Sequence, residues 1–305
     1  MKNNIKGYLL AITSGVLYGA APIMVLDIAD RGITTSTGCL MMRYAATSLI
    51  LLPAALRAGK GLSKLHVLET VAAGLLMAAT AASVYTSYRW LPAGTGMAIS
   101  YLYPLVIVQA GRWLYHKTYN GWIRAAEGLF LVGMLLLSDI SVLPEGAGMG
   151  LVFALASALF YAGLLLWEER RDLGAIHPIV FTELLSITCA VCMGCFNLAV
   201  GPFFLRLTAS AAVRFAMVGI VGALATATQL AAVKQVGAMT TSLLGTLELV
   251  VCCLGSAILL RDPFTWKSIA GTVLILAAVI LVTARTEPAD RGRTTKEIGG
   301  ACDDI

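Results

Sequence analysis

Apolar stretches of about 20 residues with few charges recur along the whole of this 305-residue chain, and that recurrence restricts the fold more than any other feature. Residues are 58% hydrophobic and only 13% charged, against about 25% charged in a soluble domain, and mean hydropathy is +0.83. The pattern predicts an all-α integral membrane protein with ten spans, near 7–28, 34–56, 66–88, 91–115, 121–139, 148–168, 175–200, 211–233, 236–260 and 265–284. The first apolar run, Tyr8 to Ile28, is too long for a signal-peptide core and reads as a span. The tail 286–305, rich in charge and Gly, reads as disordered and cytoplasmic.

Charge then sets orientation. With the N-terminus inside, fifteen of the 22 Lys and Arg residues fall in inside segments and six outside, with Arg43 within a span. That bias puts both termini in the cytoplasm. The net charge of +5 is scattered over short loops, which is a topology signal and not a nucleic-acid surface. Seven cysteines, an odd number set mostly in apolar runs, imply no disulfide framework.

Span 4 is unusual. Leu91–Lys117 carries Pro92, Ser100, Tyr101, Tyr103 and Pro104 where a lipid anchor carries Leu and Ile. At a shift of 145 it echoes Val236–Asp262: Ala93 on Ala238, Thr95 on Thr240, Leu102 on Leu247, Val106 on Val251 and Leu114 on Leu259. At a shift of 143 span 1 meets span 6, with Ala11 on Ala154, Ser14 on Ser157 and Tyr18 on Tyr161. The chain therefore divides into two five-helix repeats, 1–145 and 146–285. Five is odd, so the second repeat enters the membrane from the opposite side. Inverted repeats mark secondary transporters, with the substrate site near the midplane between halves.

Glu248 lies mid-span, where a carboxylate costs about 2.5–3.5 kcal/mol and must face the bundle interior or water. Thr241, Gly245, Glu248, Cys252 and Ser256 make one small or polar helix face, matched in span 4 by Gly96, Ser100, Tyr103 and Ile107. Substrate binding, proton coupling or gating fits such a face, and so does close helix packing with a structurally bonded Glu248. Arg43 and Glu183 occupy corresponding places in spans 2 and 7 and need pairing, hydration or snorkelling. Arg43 is suited to a substrate carboxylate and Glu183 to coupling or gating. Tyr18, Tyr101, Tyr103 and Tyr161 offer an apolar face plus a hydroxyl, either for an amphipathic ligand or for packing; Tyr88, Tyr115 and Tyr119 suit interfacial anchoring. Pro22 and Pro104 remove backbone donors and free the Tyr18 and Ser100 carbonyls, a device for a kink or gate.

Cys189, Cys192 and Cys195 spell C-x-x-C-x-x-C, but they sit inside span 7 without the fourth ligand, so they read as small hydrophobes. No metal site and no cofactor is expected. His66, His116 and His177 fall at span ends or in loops, and no H-E-x-x-H, Walker A or G-x-S-x-G pattern occurs. Enzymatic chemistry and ATP-driven pumping are therefore not expected.

Tyr85 to Leu114 resembles the fourth-helix pattern of the drug/metabolite transporter superfamily, EamA type, including its Tyr103–Pro104 pair. Arg43 to Pro53 is similar to its second helix, and the stretch from Ala231 to Thr265 to its lysine-containing loop, small-residue face and acidic position before the last helix. Glu248 takes the place of the family's Glu, Leu249 replaces the Pro that follows it, and Asp262 fits the acidic position, with Lys117 as its first-half counterpart. The resemblance covers about residues 8–284. It implies a ten-helix carrier in which spans 1–4 and 6–9 line a cavity and 5 and 10 are peripheral. It also implies a multi-pass protein of the cytoplasmic membrane, working as a monomer or homodimer, without nucleic acid. The expected function is secondary transport by alternating access, as an exporter of an amino acid or similar amphipathic metabolite. An importer or obligate exchanger is the alternative. A membrane-embedded enzyme needs converging acid, base or metal groups, and a passive channel would show unitary currents.

Overall fold

The computed structural model describes residues 2–59, 63–87, 89–91, 93–115, 121–137, 147–171, 176–200, 204–206, 208–251, 254 and 266–285. Lys117, Tyr119, Cys252, Ser256, Asp262, the Tyr88 side chain and the tail 286–305 lie outside them. The described chain is helical throughout apart from one isolated bridge, Thr34 with Leu205. In order the helices are α1 (Lys2–Asp30), α2 (Ser36–Ala58), α3 (Lys64–Ser87), α4 (Ala93–Ser100), α5 (Tyr103–Tyr115), α6 (Gly121–Leu137), α7 (Ala147–Arg170), α8 (Pro178–Val200), α9 (Ala209–Gly245) and α10 (Trp266–Arg285). Six of the described helical segments are long and apolar enough to cross a membrane.

Local sequence sets several ends. Thr35 caps α2 by accepting the Gly38 amide at 3.1 Å, and Thr208 caps α9 by accepting the Ala211 amide at 3.2 Å. Leu49, Leu198, Leu159 and Val191 are exposed on the outer surface. Ser14, Arg43, Thr47, Glu168, Glu183 and Gln229 are buried within. An apolar exterior around a partly polar interior is what a hydrocarbon solvent selects.

Two departures from the expected spans matter. The stretch 91–115 is not one helix: it breaks at Tyr101–Leu102 and restarts at Tyr103, with Pro104 in the first turn of α5, where a missing amide is harmless. Pro22, by contrast, lies inside an unbroken α1. The spans expected at 211–233 and 236–260 are two separate helices, but the turn between them is displaced to Gly237, because Lys234–Val236 is helical. Gly237 has φ +82° and ψ 163°, a conformation that is essentially reserved for glycine.

Gly237 makes α9 a hairpin. Run straight, 37 residues would extend about 56 Å, nearly twice a bilayer's hydrocarbon thickness. Instead both arms lie along α1. Down the first arm Gly7 meets Val236, Ser14 bonds the Ala225 carbonyl and Tyr18 bonds Thr226. Along the second, in the opposite sense, Gly15 meets the Leu244 carbonyl and Gly19 meets the Glu248 carbonyl. A Cβ on Gly19 would sit 2.6 Å from that carbonyl oxygen, so the G-x-x-x-G pair Gly15 and Gly19 sets how near α1 can come.

The other helices pair across the molecule. α2 packs on α8 and α9, α3 on α7 and α8, α4 and α5 on α7, α5 also on α9, and α6 on α10. Replacing Gly237 by Ala should cost about 1–3 kcal/mol through backbone strain, read as a lower thermal midpoint of the detergent-solubilised protein.

Candidate functional site

A small chamber lined by polar and aromatic side chains lies where α1, α5, α7 and both arms of α9 meet. Its walls include Ser14, Tyr18, Tyr103, Tyr161, Gln229 and Glu248, completed by Ala11, Gly15, Leu165, Thr241, Ser242 and Gly245. It has room for about one water molecule.

The hairpin and the two helix breaks assemble this wall. The first arm of α9 brings Gln229 and Thr226, and the second brings Thr241, Ser242 and Gly245 before turning at Thr246. Thr246 is the second break. Its Oγ1 donates to the Leu243 carbonyl at 2.7 Å, and helical residues resume at 247, carrying Glu248. No proline is present there. The break in the first half, at Tyr101–Leu102, matches it at the 145-residue shift. The two interruptions lie next to the wall residues Tyr103 and Gly245.

The aromatic side chains form one group. Tyr103 and Tyr161 meet edge to face, with centroids 4.6 Å apart and planes at 88°, and Tyr101 lies 6.1 Å from Tyr103. The Tyr101 hydroxyl donates to the Glu248 carboxylate. The Tyr103 hydroxyl reaches the Ser242 carbonyl at 3.4 Å, and the Tyr18 hydroxyl shares a 2.9 Å bond with Thr226. The Tyr161 hydroxyl donates to Gln229 Oε1 at 3.2 Å, and the Gln229 side chain also bonds the buried carboxylate of Glu168. Thr241 Oγ1 and Glu168 Oε2 have no hydrogen-bond partner among the described residues.

Arg43 stands behind Tyr18. Its guanidinium carbon lies 5.7 Å from the Tyr18 ring centroid and 5.4 Å from that of Tyr44. The group presses on Gly222, where a Cβ would be 2.8 Å from Nε. Arg43 is 7% exposed, Nε has no partner, and no carboxylate pairs with it among the described residues. A buried cation held only by aromatic faces keeps most of its hydrogen-bonding capacity in reserve.

Four of the residues singled out from sequence, Ser100, Glu183, Pro22 and Pro104, lie elsewhere. Ser100 bonds back to the Gly96 carbonyl at 3.0 Å and touches the Ala154 carbonyl at 3.5 Å, so it belongs to the packing of α4 on α7. Glu183 sits between α2 and α8, where Ser48 Oγ donates to Oε1 at 2.7 Å and Oε2 has no partner. Pro22 and Pro104 are not wall residues. Cys189 Sγ donates to the Gly74 carbonyl at 3.4 Å, a packing role. Among the described residues no cluster of three or more His, Cys, Asp or Glu side chains is placed to hold a metal ion.

Ser14, Gln229 and Ser242 are wall residues that sequence reasoning passed over. Gln229 carried a signal, since an amide deep in an apolar span needs partners. Ser14 and Ser242 carried none beyond being small and polar.

Residues 148–284 match the model of the EamA-like transporter family. No curated protein matches the chain. Among solved structures 29 chains match, and one crystal structure superposes with a TM-score of 0.73 over 92% of this chain and 98% of that one, at 18% identity. At that identity the likeness speaks for the fold alone.

The hydrogen bonds rank two substitutions. Tyr18→Phe removes one bond, but Thr226 still donates to the Gly222 carbonyl at 3.0 Å, so the expected cost is about 1 kcal/mol. Gln229→Leu leaves both the Tyr161 hydroxyl and the Glu168 carboxylate without their partner, and about 2–4 kcal/mol is expected. Denaturant titration of the two purified variants measures the difference.

Proposed function

We propose that this chain, whose residues 148–284 belong to the EamA-like transporter family of the drug/metabolite transporter superfamily, is a secondary carrier working by alternating access across the cytoplasmic membrane. In this reading it crosses the bilayer ten times, as inverted repeats 1–145 and 146–285, with both termini in the cytoplasm. Its cargo is a small amphipathic metabolite such as an amino acid, and its direction is export. The observation that carries the reading is the small chamber of polar and aromatic side chains, set beside interrupted helices inside an apolar shell.

The packing supports the repeat. If α1, α2, α3, α4 with α5, and α6 correspond to α7, α8, the first arm of α9, its second arm and α10, the most extensive contacts have counterparts, while others such as α7 on α9 do not. α3 on α7 answers the first arm on α1, and α4 with α5 on α7 answers the second arm on α1. Single atoms repeat as well. Gly74 packs against Thr188 and accepts a bond from Cys189, while Gly219, at the 145-residue shift, packs against Thr47 and accepts its hydroxyl at 2.9 Å.

The roles follow from the groups. Arg43, free of any described carboxylate, is the bet for an anionic end of the cargo. Tyr18, Tyr101, Tyr103 and Tyr161 supply an apolar wall with hydroxyls, and Thr241 an unused one. Glu248, whose carboxylate Tyr101 holds, meets a cationic end or carries a proton. Glu183, between α2 and α8, serves helix movement rather than binding. One copy contains the whole chamber, so a monomer suffices.

Counterflow in proteoliposomes across a metabolite panel, with and without a pH gradient, tests the carrier. Saturable exchange of at least one metabolite is expected, and its absence for all would overturn the reading. Preference for uptake over export in oriented vesicles would select the importer alternative. For a carboxylate cargo, Arg43→Lys should raise KM about 10- to 100-fold, the equivalent of a charge-assisted bond worth about 1.5–3 kcal/mol. Glu248→Gln should alter rate or pH dependence.

A further inference from the structure

Two ion pairs that the mechanism above does not use lie at the ends of the bundle. At one end Asp27, in the last turn of α1, pairs with Arg214 near the start of α9 and also with Arg31 at 2.8 Å. At the other, Arg171, directly after α7, pairs with Glu69 in the second turn of α3 at 3.3 Å. Its guanidinium lies 4.8 Å from the Trp167 ring centroid, and Trp167 Nε1 donates to the Glu69 carbonyl at 3.1 Å. The ends are opposite. α2 carries the chain from the first to the second over about 34 Å, the length of its 23 residues.

The two pairs are one device built twice. Asp27 shifted by 144 is Arg171, and Glu69 shifted by 145 is Arg214. The same two positions of the repeat are thus bridged at each end, with the charges exchanged: acid on the first helix and base on the third-helix equivalent at one end, the reverse at the other. Both offsets agree with the 143 to 145 relating the spans. The seals differ in their surroundings. The Asp27 end adds the Thr34–Leu205 bridge, a 2.6 Å bond from Thr34 to the Phe204 carbonyl and a 2.6 Å bond from Thr37 to Asn197.

We propose that Asp27–Arg214 and Glu69–Arg171 are the two gates of the chamber, a pair of latches of which one parts while the other holds. The inference rests on the carrier reading for its purpose but not for its test. Arg171 is 50% exposed and Arg214 and Asp27 34% and 36%, with only Glu69 buried, so each latch is weak enough to part during a cycle. Because α1 and α7 each run from a latch to the chamber wall, tilting either helix to open one end presses it toward the helices at the other.

Hydrogen exchange on the full chain in lipid nanodiscs tests this without any substrate. Glu69→Gln should speed exchange about fivefold in the amides around the Glu69–Arg171 end and slow it around Asp27 and Arg214. Arg214→Gln should do the reverse. The swapped double variant Glu69→Arg with Arg171→Glu should return both ends toward the parent pattern and serves as the fold control. A rise confined to the substituted end, with the far end unchanged, would mean an ordinary structural ion pair and overturn the proposal. So would a rise at both ends, or a swap that fails to restore. Reciprocal exchange together with failed counterflow would leave the latches standing and sink the carrier reading instead.

Discussion

A bilayer interior offers nothing for a polar group to bond, and the arrangement of this molecule follows from that. Each buried polar side chain must find its partner inside the bundle or be left short. Ser14 and Tyr18 turn to α9, Tyr161 and Glu168 converge on Gln229, and Thr47 turns to the Gly219 carbonyl. Among the described residues the satisfaction is incomplete at Arg43 Nε, Glu168 Oε2 and Thr241 Oγ1, on or beside the chamber, and also away from it at Glu127, Thr182, Glu183 and Thr272.

On the proposed repeat, the two halves divide the chemistry. Both break a helix at the same place in the repeat, Tyr101–Leu102 in one and Thr246 in the other. After the first break comes an aromatic residue, Tyr103, which packs on Tyr161; after the second comes an acid, Glu248, held by Tyr101. On the proposed function, a chamber with one aromatic wall and one ionisable wall suits a molecule with unlike ends. A perfectly symmetric duplicate would not.

Much of this was legible in the chain. Apolar length and scarcity of charge announce a helical membrane protein, because hydrocarbon thickness fixes the length a helix must have. Tyr18, Tyr103, Tyr161, Thr241 and Glu248 stand out as polar groups at depth, and they meet in one place. What stayed hidden depends on distant pairs. Asp27 and Arg214 are 187 residues apart; in sequence Arg214 is one more charge in a topology count and Asp27 an acid at the end of a span. Ser100 has the right face and depth, yet its hydroxyl turns back to its own helix. The break at Thr246 has no proline to signal it, and the turn at Gly237 hides in a run that reads as helical on both sides.

That turn has a consequence for how the chain enters the membrane. With a single non-helical residue between them, the arms of α9 leave no loop that could wait in water while one arm inserts alone. They must go in together, as a preformed helical hairpin. The groove that lodges α1 exists only afterwards, some 200 residues of synthesis after α1 itself has emerged. Until then Ser14 and Tyr18 face surroundings that are not their final ones. The first helix made is thus among the last to be seated, and the molecule's assembly order runs against its sequence order.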